Sequence, residues 1–223
     1  MKNILFPDEK YGHAQFGWGG GMEHTTVSFM GNFSSSLIAH ELAHQWFGNK
    51  ITCGSWKDIW LNEGFATYLS GLVVENFQEE NSFTSWKQSR VNSITSQPSG
   101  SVYISNNDTT VARVFSSRLS YSKGAMVLHM LRKKLGDDFF FQSLRDYLSD
   151  EDLSYSYAKT DDLKSIIEES TAEDVTEFFD DWIYGEGYPS YQINWGHNSQ
   201  GNLNLEVLQS QSHSSVDFFE GPI

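Results

Sequence analysis

The segment His40–His44 reads His-Glu-Leu-Ala-His, and Glu63 follows after an interval of eighteen residues. Residues at positions i and i+4 of a helix project from the same face, so this spacing lets both imidazoles hold one metal ion. Two imidazoles and one carboxylate leave a fourth position open, as a catalytic zinc site requires and a structural zinc site avoids. Glu41 lies beside the histidines, where its carboxylate can take a proton from the attacking water. The spacing therefore predicts a zinc hydrolase.

The alternative is that this spacing is a coincidence on an ordinary buried or solvated helix. A second segment, Leu61–Tyr68, reads Leu-Asn-Glu-Gly-Phe-Ala-Thr-Tyr around the third predicted ligand. Because two independent segments then match one kind of metal site, coincidence is the weaker explanation.

The composition is that of a globular and acidic chain. Its 223 residues suffice for one domain, or for one domain plus a fragment. Aromatic residues make up 15% and charged residues 20%, which excludes a disordered chain. The net charge of −14 argues against nucleic acid or an anionic membrane as a partner. It suits cationic substrates, including the protonated amino terminus of a peptide.

Cys53 is the single cysteine, which excludes an internal disulfide and a thiolate cluster for zinc. We interpret it as a small packing residue, because no activating partner is evident. No apolar run reaches membrane-spanning length, and residues 1–7 lack the apolar segment of a signal peptide. A signal removed upstream would leave no trace, so the compartment stays open, with a secreted, periplasmic or cell-surface location favoured over the cytoplasm.

The hydrophobic pattern predicts a little β structure, a long α block and then β structure again. A strand over 22–30 follows a glycine-rich segment, and Ser34–Ser36 offer N-caps for the helix that carries the two histidines. Gly48 is expected to end that helix. Further helices are predicted at 58–76, 82–96, 122–135, 138–149, 160–170 and 173–184, with N-caps at Thr160 and Thr171. Strands are predicted at 188–195, at 203–209 and in a short stretch toward Phe219.

Two glycines in the predicted helix 58–76, Gly64 and Gly71, indicate close packing. We expect that packing to be against the first helix.

Tyr121 lies at the start of the predicted helix 122–135, where its side chain can reach into a cleft. A phenol there can hydrogen-bond the oxyanion that forms as water attacks a carbonyl carbon. By itself, a tyrosine before a helix is more often a packing residue. The accompanying zinc motif favours the catalytic interpretation.

Residues 19–24 read Gly-Gly-Gly-Met-Glu-His. Glycines let another backbone approach closely, so a peptide substrate could pair along Gly20, Gly21 and Met22. Glu23 could then face the substrate's ammonium group. The alternative is a flexible turn with a solvated Glu23.

Together, four segments in this order resemble the aminopeptidase N family of zinc aminopeptidases, which are gluzincins with a thermolysin-like catalytic domain. The matching segments are Gly20–His24, His40–His44, Asn62–Ala66 and Tyr121–Gly124. The resemblance extends from about residue 11 to residue 195. It implies one Zn²⁺ bound by His40, His44 and Glu63. It also implies Glu41 as general base, Glu23 as anchor of the free α-amine and Tyr121 as the group that stabilises the tetrahedral intermediate.

This sequence departs from the family pattern at three positions. The usual motif is Gly-Ala-Met-Glu-Asn, whereas Gly21 and His24 stand here. Gly21 is expected only to loosen the loop, while His24 is larger and ionisable and is expected to alter the amine site and its pH response. Many relatives carry a glutamate at the position of Ser70, so we expect weaker orientation of the metal ligands here.

We therefore expect an α+β, mainly α fold. A thermolysin-like zincin catalytic domain, with a small β-sheet and a helical lobe, is predicted for residues 1–186, and the truncated start of a β-sandwich for residues 187–223. The family has domains on both sides of this region, so we expect a piece of a longer protein whose unpaired strand edges invite self-association.

The predicted reaction is hydrolysis of the first peptide bond of peptides with a free N-terminus. The alternatives are a zinc endopeptidase on the same core and a catalytically weak, peptide-binding fragment of a larger aminopeptidase.

Overall fold

The computed structural model describes residues 10–105 and 108–221, in which short strands accompany a helical block. The helices are α1 Ser35–Ala43, α2 Trp60–Phe77, α3 Ser82–Ile94, α4 Val111–Val114, α5 Gly124–Leu135, α6 Asp137–Ser149, α7 Thr160–Thr171 and α8 Thr176–Phe179. The strands are β1 Gly12–Gln15, β2 Gly21–Met22, β3 Val27–Met30, β4 Ile51–Cys53, β5 Ser156–Ala158, β6 Pro189–His197 and β7 Leu203–Gln211. This mixture of a helical block with small sheets confirms the predicted α+β, mainly α class.

The strands form three separate small sheets. In the first, β3 lies in the centre, parallel to β1 and antiparallel to β2. A parallel pair joins β4 to β5, and β6 with β7 forms an antiparallel hairpin over nine residue pairs. The continuous strand predicted over 22–30 is wrong, because a turn closed by the Val27 N–H to His24 carbonyl bond reverses the chain between β2 and β3.

Helix α1 begins as predicted and ends earlier than predicted. The Ser34 side chain accepts a hydrogen bond from the Leu37 amide at 3.4 Å, which satisfies an orphan N–H of the first turn. The helix ends at Ala43, and His44 caps it with helical backbone angles. Gly48, with φ of 144°, lies in the turn beyond. Because His44 keeps helical geometry, it still lies one turn from His40.

Helix α2 crosses the core, and residues Trp60–Ser70 are buried except for Leu69. Phe65 stacks on Phe47 with ring centroids 4.2 Å apart. The buried Asp58 carboxylate, just before the helix, accepts hydrogen bonds from the Thr160 amide and hydroxyl at 2.9 and 2.8 Å. These bonds fix the start of α2 against α7. The prediction of Thr160 as the N-cap of α7 is wrong by one residue: Lys159 is the N-cap, and Thr160 is the first residue of the helix.

The glycines of α2 do not face α1, so that prediction is wrong. A Cβ on Gly64 would lie 3.2 Å from the backbone of Gly124, at the start of α5. A Cβ on Gly71 would meet the ring of Trp86, on α3, at 2.7 Å. The glycines thus allow close approach of two other helices.

The helix predicted at 122–135 starts earlier than expected, as a π-helical segment over Ser117–Lys123 that continues into α5. Tyr121 therefore lies within a helical turn and not at a helix start. The buried Lys123 side chain donates hydrogen bonds to the carbonyls of Gly100 and Gly185, at 3.0 and 3.3 Å. These bonds hold the segment against two distant parts of the chain.

The C-terminal predictions hold in part. The helix predicted at 173–184 is split into α8 and a second π-helical segment, Asp180–Tyr184, and Thr171 ends α7 instead of capping the next helix. Strands β6 and β7 confirm the two predicted there. No strand is found toward Phe219 within the described residues; this side chain packs on Trp182 with ring centroids 4.7 Å apart. Across residues 10–105 and 108–221, no helix has the length and apolar character that a membrane span requires.

Candidate active site

Three predicted metal ligands meet where α1 faces the start of α2. The Nε2 atoms of His40 and His44 are 3.1 Å apart. One carboxylate oxygen of Glu63, Oε2, lies 3.3 Å from each of those nitrogens. The three donor atoms thus form a nearly equilateral triangle.

This triangle has the dimensions of a zinc site. Zinc bonds of about 2.0–2.2 Å in tetrahedral geometry place neighbouring ligand atoms roughly 3.3–3.6 Å apart, slightly more than the sides of the metal-free triangle. The Glu63 Oε2 atom is buried and has no hydrogen-bond partner in the described chain, as expected of an atom reserved for another ligand. Burial raises the pKa of Glu63, but the attraction of the two neighbouring imidazoles outweighs it and lowers the pKa to about 2. The donor set therefore fits a zinc ion.

The buried His44 ring is oriented by a bond that the sequence did not predict. Its Nδ1 lies 3.0 Å from the backbone carbonyl of Phe47, in the turn after α1. A carbonyl only accepts, so Nδ1 carries the proton and Nε2 keeps its lone pair for a metal.

Glu41 lies beside the triangle and is not part of it. It is 3% exposed, and its Oε2 atom has no hydrogen-bond partner in the described chain. Burial, with the nearby charges of Glu23 and Glu63, raises the pKa of Glu41 to about 7 although His44 opposes this. Glu41 also belongs to a looser group with Glu23 and His44, whose ligand atoms lie within 4.8 Å of one another. A carboxyl group with such a pKa exchanges protons readily near neutral pH.

Gly21 contributes more than a loose loop. A Cβ on Gly21 would overlap the carboxylate of Glu41. The absence of a side chain on β2 thus leaves the space that this carboxylate occupies.

Tyr121 reaches the same cleft from the π-helical segment. Its ring stacks on that of His40, with centroids 5.9 Å apart and planes 10° from parallel. Burial, and then the negative charge of Glu63, raises the pKa of Tyr121. The phenol is therefore neutral and can donate a hydrogen bond.

Glu23 follows β2 and is held near Glu41 by its backbone. Its carbonyl accepts a hydrogen bond of 2.7 Å from the Asn49 side chain, which ties the β2–β3 turn to the turn after α1. His24 packs against Phe29 with ring centroids 5.0 Å apart, and it does not line the cleft. Ser70 donates to the Thr67 carbonyl at 2.9 Å and has no bond to a predicted metal ligand.

The cleft has a volume of about 480 Å³ and brings together most of the predicted site residues. Gly20, Gly21, Glu23, His40, Glu41, His44, Glu63 and Tyr121 all line it. Met22 does not, and 40% of its surface is exposed. The sequence analysis assigned none of the eight further lining residues to the site: Asn32, Ser34, Ser36, Leu37, Thr67, Ser70, Arg90 and Ser117. Thr67 lies within the quoted segment Leu61–Tyr68, whereas Asn32, Arg90 and Ser117 belong to no motif, and only their place in the fold brings them to the cleft.

A family model described as the peptidase family M1 domain matches residues 24–182, which include the metal triangle and Tyr121. The chain belongs to peptidase family M1. Aminopeptidase M1-A of Oryza sativa subsp. japonica is 38% identical over 180 residues, which is 78% of this chain and 20% of that protein. Aminopeptidase M1 of Arabidopsis thaliana is 35% identical over 195 residues, or 84% of this chain and 21% of that protein.

Solved structures agree with this assignment. An M1 zinc metallopeptidase from Deinococcus radiodurans has a TM-score of 0.70 and 29% identity, covering 81% of this chain and 40% of that chain. A mutant of that enzyme with a bound Tyr-Ser-Ala substrate has a TM-score of 0.72 and 28% identity, covering 83% of this chain and 41% of that chain. The present chain spans about a fifth of the length of the curated relatives described above. The chain therefore belongs to a family of enzymes that includes zinc metallopeptidases.

Proposed function

We propose that this chain is the catalytic part of a zinc aminopeptidase, which hydrolyses the N-terminal peptide bond of unblocked peptides. The observation that carries the proposal is the triangle of donor atoms from His40, His44 and Glu63, with sides of 3.1–3.3 Å. Membership in peptidase family M1 and the printed names of the relatives support it.

One Zn²⁺ would be held by Nε2 of His40, Nε2 of His44 and Oε2 of Glu63. When bound, this ion supplies a Lewis acid that polarises the scissile carbonyl and acidifies water. Glu41 keeps its carboxylate free of the metal, so it can accept the proton of the attacking water and pass it to the leaving amine. Tyr121 donates its hydroxyl proton in a hydrogen bond to the oxyanion that develops on the substrate.

Selection of the N-terminus rests on Glu23. Its carboxylate lies in the cleft near Glu41 and can pair with the substrate's ammonium group. The open edge beside Gly20 and Gly21 lets the substrate backbone approach. With the ammonium group fixed there, only the first peptide bond reaches the catalytic groups.

We further propose a thermolysin-like core within residues 1–186 and the start of a β-sandwich in residues 187–223. The β6–β7 hairpin supports the second part, because Ile193, Trp195 and Leu205 lie exposed on one face of it, at 52%, 71% and 60%. A secreted, periplasmic or cell-surface location stays a prediction.

Hydrolysis of alanyl-anilide and of its N-acetylated form tests the aminopeptidase proposal. We expect zinc-dependent cleavage of the free form, lost with a chelator and restored by zinc, and little cleavage of the acetylated form. Equal cleavage of both forms would indicate an endopeptidase. Binding of a free-amine peptide to the zinc-loaded protein without turnover would indicate a peptide-binding fragment.

Glu23→Ala provides the matching variant. It should lower cleavage of the free form strongly with zinc content unchanged. Acetylation should then add little further loss, because the two changes remove the same interaction. Additive losses would show that Glu23 does not contact the amine.

A further inference from the structure

Arg90, on α3, is a cation in the catalytic cleft that the proposed mechanism does not use. It lines the cleft together with Thr67, Ser117 and Tyr121. Among the described lining residues it is the one Lys or Arg side chain, whereas three glutamates contribute negative charge.

The Arg90 guanidinium has no polar partner within residues 10–105 and 108–221. Its Nε atom is buried and forms no hydrogen bond. The other arginines all donate to oxygen atoms: Arg113 and Arg118 to backbone carbonyls, Arg132 to Glu75 and Asp137, and Arg145 to Gln142. Arg113 also has one buried Nη1 without a partner, but its guanidinium is held by two backbone carbonyls. The half-buried Arg90 is held by none, so its guanidinium is available to a ligand.

An aromatic residue fixes the position of this side chain. The guanidinium carbon lies 5.2 Å from the ring centre of Trp86, one helical turn earlier on α3. Trp86 in turn packs against Gly71 of α2, where a Cβ would displace it. A contact of this kind uses none of the N–H donors of the guanidinium, which stay available for hydrogen bonds.

We propose that Arg90 is a specificity-determining residue that binds a carboxylate of the substrate, an inference that rests on the proposed function. The planar fork of an arginine matches a carboxylate with two parallel hydrogen bonds. The carboxylate has two sources: an acidic side chain in the first residue, or a carboxylate on the far side of the scissile bond, such as the C-terminus of a dipeptide. Glu23, Glu41 and Glu63 repel a second carboxylate elsewhere in the cleft, so Arg90 sets its position.

Preference ratios measure this role. For the first source, the ratio compares kcat/KM for glutamyl-anilide with that for glutaminyl-anilide. For the second, it compares Ala-Ala with Ala-Ala-amide. Arg90→Gln should lower at least one of the two ratios roughly tenfold or more, mainly through KM, and Arg90→Lys should lower it less. Arg145→Gln, with the same change in net charge at an exposed position of α6, should leave both ratios unchanged.

Equal losses for carboxylate and amide substrates in Arg90→Gln would show a structural role and overturn the proposal, as would unchanged ratios. Binding separates this outcome from failure of the proposed function. In a Glu41→Gln background, calorimetry of Glu-Ala, Gln-Ala and their C-terminal amides should show the same preference, abolished by adding Arg90→Gln. If the parent protein hydrolyses no substrate but shows this binding preference, the proposed function fails and the role of Arg90 stands. If the binding preference is absent, the role of Arg90 fails.

Discussion

At the scale of single residues, Gly21 leaves the space that the Glu41 carboxylate fills, because a Cβ on Gly21 would overlap it. The proposed general base needs a fixed position beside the metal triangle, and β2 provides it by carrying no side chain there.

Gly21→Val, which is larger than the alanine usual at this position in the family, should therefore displace Glu41 and lower kcat roughly tenfold or more, with zinc content unchanged because Glu41 is not a ligand. Gly17→Val is the matched control, since a Cβ there meets nothing within 4 Å. Steady-state kinetics and metal analysis of both variants measure the effect. Full activity of Gly21→Val would mean that the Glu41 carboxylate has room to shift without effect.

At the scale of secondary structure, the crossing of α2 with the π-helical segment and α5 sets the distance from the metal triangle to Tyr121. Gly64 follows the ligand Glu63, and it touches Gly124, three residues after Tyr121. Two glycines in contact thus bring the proposed oxyanion donor to the metal site.

Gly64→Ala should separate these elements, because its Cβ would lie 3.2 Å from rigid backbone atoms of Gly124. We expect a loss of about 1–3 kcal/mol in the free energy of unfolding, together with a fall in kcat. Urea denaturation of the zinc-saturated protein measures the first, with Gly196→Ala, which has open space, as control. Equal stability of the two variants would contradict the proposed role of the crossing.

The buried Lys123 side chain, which donates hydrogen bonds to the Gly100 and Gly185 carbonyls, predicts that the free energy of unfolding depends on pH. Burial, followed by the positive charge of Arg118 and Arg113, lowers the pKa of Lys123 to about 7, although Glu186 opposes this. Between that pKa and the value of about 10.4 in an unfolded chain, the unfolded state binds the additional proton. Stability should therefore rise as the pH increases from about 7 to 10.

Lys123→Met removes this titration. The difference in free energy of unfolding between the wild type and Lys123→Met should grow with pH across that range, by an amount on the order of 2–4 kcal/mol. Urea denaturation at several pH values with saturating zinc measures it. Parallel pH profiles would show that Lys123 titrates alike in both states.

At the scale of the whole molecule, local sequence patterns predicted the structural features that depend only on residues close together in the sequence. The i, i+4 spacing of His40 and His44 needs only a helix, and helical periodicity located most of the helical block. The three- and four-residue strands β1, β4 and β5 were missed, because their pairing depends on distant partners. The strand predicted over 22–30 failed because its return as a hairpin, with Thr26 at φ of 67°, is a tertiary feature.

The same division applies to the site. Glu23, Glu41 and Tyr121 were placed in the cleft by motif and by family resemblance. Arg90 was not predicted as a site residue. Its contact with Trp86 and its position in the cleft both depend on the packing of α3 against α2. The unpartnered guanidinium is visible only in the folded chain.

The central claim is that His40, His44 and Glu63 bind one zinc ion while Glu41 acts without binding it. Zinc per chain, measured by mass spectrometry after dialysis alongside anilide turnover, tests this most directly. We predict one zinc in the wild type and in Glu41→Gln, turnover in the wild type alone, and loss of zinc in His40→Ala and Glu63→Gln. Undiminished zinc in Glu63→Gln, or undiminished turnover in Glu41→Gln, would contradict the claim.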